Sequence, residues 1–165
     1  MRTPLIGGVV LGVLVTLWSI VVVETGWYKD PAMVWTFWVV VLIEIAVLVW
    51  TLRRTAAEGR TYGQQVVAGL VASVVGGVLI FAGSYLITTV LEPEYFAEIK
   101  AMGVQLARSA GQGEAEVQRL LDAPSQTPTQ GALGGLIGTV ATGLLVSLIL
   151  AAFLRVKRPT VMAVR

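Results

Sequence analysis

The chain has 165 residues, 56% of them hydrophobic and only 13% charged, with a formal net charge of +2 and a mean hydropathy of +0.80. A soluble domain carries about a quarter of its residues as Asp, Glu, Lys or Arg, so half that density predicts a surface that faces lipid. Cysteine and histidine are both absent, which excludes disulfides, thiolate or imidazole metal sites, and catalysis by Cys or His. No nucleophile–base pair, phosphate loop or metal set can be assembled from what remains, so neither an enzymatic activity nor a cofactor is expected.

The first apolar block spans residues 4–23, directly after Met1-Arg2-Thr3. It is longer than a signal-peptide core, and "VVVETGW" offers no small-x-small cleavage site, so an uncleaved first helix is expected. It carries Gly8-x-x-x-Gly12. The second block, 32–52, holds one carboxylate, Glu44. Trp27, Tyr28, Trp35 and Trp38 flank the turn between the two blocks, while Trp50 and Tyr62 lie toward the opposite border. Trp and Tyr favour the membrane–water interface, where the ring is apolar and the N–H or O–H stays wet. An anchoring role is therefore the plain reading, with an aromatic ligand cage at Trp35 and Trp38 as the alternative.

The third block spans 65–91 and the fourth 132–154. Each of the four is long enough for a helix crossing a hydrocarbon core of about 30 Å, which takes roughly 20 residues. None shows the two-residue alternation of a barrel strand. The expected fold is a single all-α membrane domain over residues 1–165, a bundle of four transmembrane helices. Arg2, Arg53, Arg54, Arg60, Arg155, Lys157, Arg158 and Arg165 occupy the two ends and the middle loop. Only Lys29, Lys100, Arg108 and Arg119 occupy the other two loops. That bias predicts both termini on the cytoplasmic side, and it accounts for the basic residues without nucleic acid.

Residues 92–130 are polar enough to leave the membrane. Tyr95, Phe96, Ile99, Met102 and Leu106 recur at helical spacing, with Glu94, Glu98, Lys100 and Arg108 free to point away. Pro93 suits a first helical turn. Gly111 and Gly113 interrupt, Glu114 to Leu121 can form a second helix with Val117, Leu120 and Leu121 inward, and "APSQTPTQ" reads as a linker. An amphipathic extracytoplasmic helical segment is expected here, lying on the outer leaflet, capping the bundle or docking another protein. Glu92, Glu94 and Glu98 lack the ligand spacing of a calcium loop.

Helices associate in lipid chiefly by close packing of small residues. The fourth block carries Gly131, Gly135, Thr139, Gly143, Ser147 and Ala151, each four residues from the next, with Gly134, Gly138 and Thr142 widening the row. Gly69, Ser73 and Gly77, beside Ala72 and Gly76, form a similar row in the third. Packing within one bundle, a homodimer interface and a substrate path along the glycines are the readings open at this point.

Glu44 sits within about one helical turn of the membrane midplane, and no Lys or Arg interrupts any block. An unpaired charge there is costly. The carboxyl is therefore expected to be neutral and hydrogen-bonded, in a polar layer with Ser73 and Ser147 and with Thr16 and Thr142 in reach.

The stretch "RRTAAEGRTYGQQVVAGL", the ending "LEPEYFAEI" and the closing "GALGGLIGTVATGLLVSLILAAFLRVKR" resemble the bacterial membrane family catalogued as domain of unknown function 4199. In that family an aromatic-Gly-Gln motif, here Tyr62-Gly63-Gln64, opens the third helix. An Asn-Pro-Asp-Phe-like motif, here Glu92-Pro93-Glu94-Tyr95-Phe96, ends it, and the last helix stops at a basic tail. The resemblance spans residues 53–158 and implies an inner-membrane location without a mechanism. Two functions compete. One is an accessory, scaffold or assembly protein whose partners are the bilayer and a second copy or another membrane protein. The other is a small proton-coupled transporter that uses Glu44.

Overall fold

The computed structural model describes residues 2–33 and 35–154. Six helices follow one another: α1 (Arg2–Glu24), α2 (Thr36–Ala57), α3 (Tyr62–Leu86), α4 (Tyr95–Ser109), α5 (Glu114–Asp122) and α6 (Pro128–Leu154). A π-helical turn, Ile87–Leu91, prolongs α3. Four helices are long and apolar enough to cross a membrane: α1, α2, α6 and α3 with its π turn. No strand occurs among the described residues. The basic residues expected beyond α6, Arg155, Lys157, Arg158 and Arg165, lie outside them.

Local chemistry moves the helix ends from the apolar blocks. Gly26 takes a left-handed φ of 70°, closed to most side chains, and its N–H bonds the Val23 carbonyl at 3.0 Å to end α1. The Asp30 carboxylate accepts the Ala32 N–H at 2.8 Å, Pro31–Met33 forms a 3-10 turn, and α2 starts only at Thr36. At α3, Gln64 reaches back to accept the Thr61 N–H at 3.1 Å. At α6, Gln130 accepts the Thr127 N–H at 3.0 Å while the Thr127 hydroxyl accepts the Gln130 N–H at 3.2 Å, a capping box with Pro128 in the first turn. The expected 123–130 linker thus ends in a helix start. Pro93 stands in the turn ahead of α4, not within its first helical turn.

α3 is central and packs against α1, α6 and α2. Its small residues let backbones approach. A methyl group added at Gly8 would lie 2.6 Å from the Ala72 carbonyl oxygen, and one at Gly76 would lie 2.7 Å from Leu11 Cδ2 and 3.2 Å from the Gly8 carbonyl. Between α3 and α6 the fit is reciprocal. Ser73 projects onto Gly143, where an added methyl would meet its Oγ and lie 2.6 Å from its Cβ, and Ser147 projects onto Gly69 in the same way. Polar residues join Leu11, Leu48 and Leu52 inside this packing, while many other apolar residues lie outside. Glu44, Thr51, Thr55, Gln65, Ser73 and Ser147 are buried, whereas Phe37, Leu42, Val90, Ile137, Leu145 and Phe153 are well exposed. An apolar outside with the few polar groups turned inward is what a hydrocarbon surround favours.

Gly143→Ala should destabilise the protein by about 1–3 kcal/mol through overpacking, and adding Ser73→Gly should restore much of the loss. Gly138→Ala, where an added methyl meets nothing, should be neutral. Unfolding in mixed micelles, followed by helical ellipticity, measures all three.

Candidate functional site

Glu44 is 4% exposed on the face of α2 that meets α6 and α3. The Thr142 hydroxyl oxygen lies 2.7 Å from its Oε2, within hydrogen-bond distance. That same hydroxyl lies 2.8 Å from the Gly138 carbonyl oxygen, one turn back in α6. A hydroxyl has one proton to give, so both contacts are satisfied together only when the carboxyl carries a proton and returns a hydrogen bond. Oε1 points to the Ser73–Gly143 notch and lies 3.0 Å from a methyl placed at Gly143. Oε1, Ser73 Oγ and Ser147 Oγ are buried without a hydrogen-bond partner.

Of the residues proposed for the polar layer, Thr142 bonds Glu44, Ser73 lies beside it, and Ser147 seats on Gly69. Thr16 is a correction: it packs against Gly83 on the α1–α3 side. The fourth-helix row also divides. Thr139, Gly143, Ser147 and Ala151 are buried, and Gly131 stacks under the Phe96 ring. Gly135 keeps ordinary contact room from Ile80, and Gly77 from Leu136 and Val140. Gly134 and Gly138 face no neighbour, so the expected widening of the stripe fails except at Thr142. In the Tyr62-Gly63-Gln64 motif, Gln64 caps α3 and the Tyr62 hydroxyl donates to the Leu148 carbonyl of α6 at 3.3 Å.

A second site lies around α4, at the opposite end of the long helices from Arg2 and Leu154. The Tyr28 hydroxyl donates to Glu98, and Lys29 donates to the same carboxylate at 2.9 Å and approaches Glu92 at 3.8 Å. Tyr95 and Ile99 pack with Val23, Tyr28 and Ile87. Lys100 donates to the Leu121 and Ala123 carbonyls at 2.7 and 2.6 Å, tying α4 to the carboxyl end of α5. Glu98 and Lys100 therefore turn inward rather than away. Leu106 and Leu121 are exposed, and Val104, Ala107 and Val117 make the α4–α5 contact instead.

Between this clamp and the ends of α1, α2 and α3 is a cavity of about 330 Å³. Trp18, Trp27, Tyr28, Phe37 and Tyr95 supply its aromatic walls. Ser84, Ile87 and Thr88, at the start of the π turn, form another side, and such turns are frequent at functional sites. Trp35 and Trp38, the residues considered for an aromatic cage, are 48% and 62% exposed and line no part of it. Sequence reasoning missed the cavity because its walls come from five separate segments.

The clamp is pH-dependent. Hydrogen bonds from Tyr28 and then Lys29 hold the Glu98 carboxyl below the usual range, while burial and then Glu98 push the Tyr28 hydroxyl up to about 12. The Glu98 contribution is thus present above the ordinary glutamate value of about 4.3 and is lost as pH falls through its lower folded value. The Tyr28 contribution is present below about 10 and is lost as pH rises through about 12. Glu98→Gln should bring Tyr28 ionisation to lower pH while burial still keeps it above the free value. Ultraviolet titration of tyrosinate, assigned with Tyr28→Phe, reads this directly.

No curated protein and no solved structure matches the chain. The profile described as "Protein of unknown function (DUF4199)" matches residues 7–156, so the likeness extends through the first two helices and Glu44. On that match, the chain belongs to the DUF4199 family.

Proposed function

We infer that this is a non-enzymatic, multi-pass protein of the bacterial cytoplasmic membrane, serving as an accessory or assembly component with its four long helices as a bundle. The closure around Glu44 carries this reading. The carboxyl is bonded to Thr142 and bordered by the Ser73–Gly143 notch. The α4-end cavity reaches along α2 only to Val40, one turn short of Glu44. There Val40 and Ile43 pack against Leu11, Val15, Val47 and Ile80. A carboxyl enclosed in this manner joins helices, whereas a proton-coupled transporter would need it reachable in turn from both sides. α6 is also the least covered of the four spans, with 22% of its apolar window buried, and its Gly134–Gly138 row is open. A second copy or another membrane protein would meet that row. The Lys and Arg bias supports termini in the cytoplasm and α4–α5 outside.

Glu44→Gln should unfold within about 1 kcal/mol of the parent, because an amide can still donate to Thr142. Glu44→Lys should lose roughly 3 kcal/mol or more. The protein has no cysteine, so Gly138→Cys is a unique cross-linking handle, expected to capture a partner or a second copy in native membranes. A Glu44-dependent proton flux into dye-loaded proteoliposomes, with no cross-linked species, would overturn the reading in favour of transport.

A further inference from the structure

The cavity beside α4 is lined by aromatic rings from four segments, and Asp30 is the one charged side chain among its lining residues. Trp18 and Trp27 lie 6.1 Å apart, tilted by 59°, and Tyr28 and Tyr95 lie 4.8 Å apart, tilted by 36°. The tilts keep the rings of each pair out of a common plane, and Val22, Val40, Ile87 and Ile99 add apolar wall for substituents. Aromatic faces attract cations through the ring quadrupole, best when the site is partly desolvated. The structure already uses this attraction at the rim, where Lys29 Nζ lies 5.2 Å from the Tyr28 ring centroid. Lys29 is held outside the cavity by Glu98 and Glu92.

Charge complements the rings. The two loops at this end hold Glu24, Asp30, Glu92, Glu94, Glu98, Glu114, Glu116 and Asp122 against Lys29, Lys100, Arg108 and Arg119. A net acidic end of the molecule raises the local concentration of cations and repels anions. Asp30 Oδ1 is fixed by the Ala32 N–H at 2.8 Å, which orients the carboxylate without neutralising it. We propose that this cavity is a binding site for an organic ammonium ion bearing apolar substituents, held by cation–π contacts with Trp18, Trp27, Tyr28 and Tyr95 and by the charge of Asp30. Its volume of about 330 Å³ accommodates more than a bare inorganic ion, and it is independent of the closure at Glu44.

Calorimetric titration of the full-length protein in uncharged maltoside micelles tests the site, with phenyltrimethylammonium as probe. Saturable binding is expected. Trp27→Phe and Trp27→Leu should weaken it progressively, reaching about tenfold for the leucine. Asp30→Asn, which keeps an oxygen for the Ala32 N–H, should weaken it several-fold with unchanged unfolding behaviour. Choline should displace the probe, and its uncharged isostere with carbon in place of nitrogen should not. Displacement by short-chain phosphatidylcholine but not phosphatidylglycerol assigns the ammonium to a lipid headgroup, and failure of both assigns it to a soluble ion. Equal displacement by choline and its neutral isostere, affinity indifferent to both Trp27 and Asp30, or no saturable heat would overturn the proposal.

Discussion

The mutual seating of α3 and α6 is the contact on which the rest of the molecule depends. In hydrocarbon no water is expelled when two helices meet, so association rests on how many atoms reach van der Waals distance. Ser73 enters the space left by Gly143, and Ser147 enters the space left by Gly69. The two notches lie about one turn apart along each helix and run in opposite senses, which fixes both register and separation. α1 attaches to the other side of α3 by the same means, with Gly8 and Gly76 admitting backbone against backbone.

That closeness also explains the treatment of polar atoms. Several hydroxyls in the long helices bond a carbonyl of their own helix, as Thr51 does to Val47 and Thr88 to Ser84 at 2.8 Å each. Ser73 and Ser147 instead direct their oxygens at the backbone of a facing glycine and make no conventional hydrogen bond. Such placements bring Cα–H groups and hydroxyl oxygens together, a weak but recurrent attraction at helix interfaces. Glu44 lies where this packing meets α2 at the Ser73–Gly143 notch. Its bond to Thr142 links α2 to α6, so a residue costly to bury in lipid acts as a cross-brace.

The α4 end obeys different physics. Here water is in reach, and the connections are charged: Tyr28 and Lys29 on Glu98, and Lys100 on the last carbonyls of α5. Exposed ion pairs contribute little each, so α4 is held more by Tyr95 and Ile99 on the apolar cluster around Ile87 than by its salt bridges. The π turn lets α3 widen at that level, and the aromatic cavity opens beside it.

Hydropathy alone determined the four long apolar helices, because crossing length and internal backbone bonding favour a helix for such a run. The Tyr62-Gly63-Gln64 motif and the Gly-Ser rows were also legible, since capping and small-residue spacing are local properties. Rotation about each helix axis was not. Gly134 and Gly143 look equivalent in sequence, yet one faces outward and the other receives Ser73. Thr16 meets Gly83, well along α3 from the Ser73 that borders Glu44, while Thr142 reaches the carboxyl. Trp27, Tyr28, Trp35 and Trp38 were visible as a border signal, but Trp35 and Trp38 turned out, while Trp27 and Tyr28 joined Trp18 and Tyr95 at the cavity. Which side of a helix meets its neighbour depends on contacts between segments far apart in the chain, and only the tertiary structure decides those.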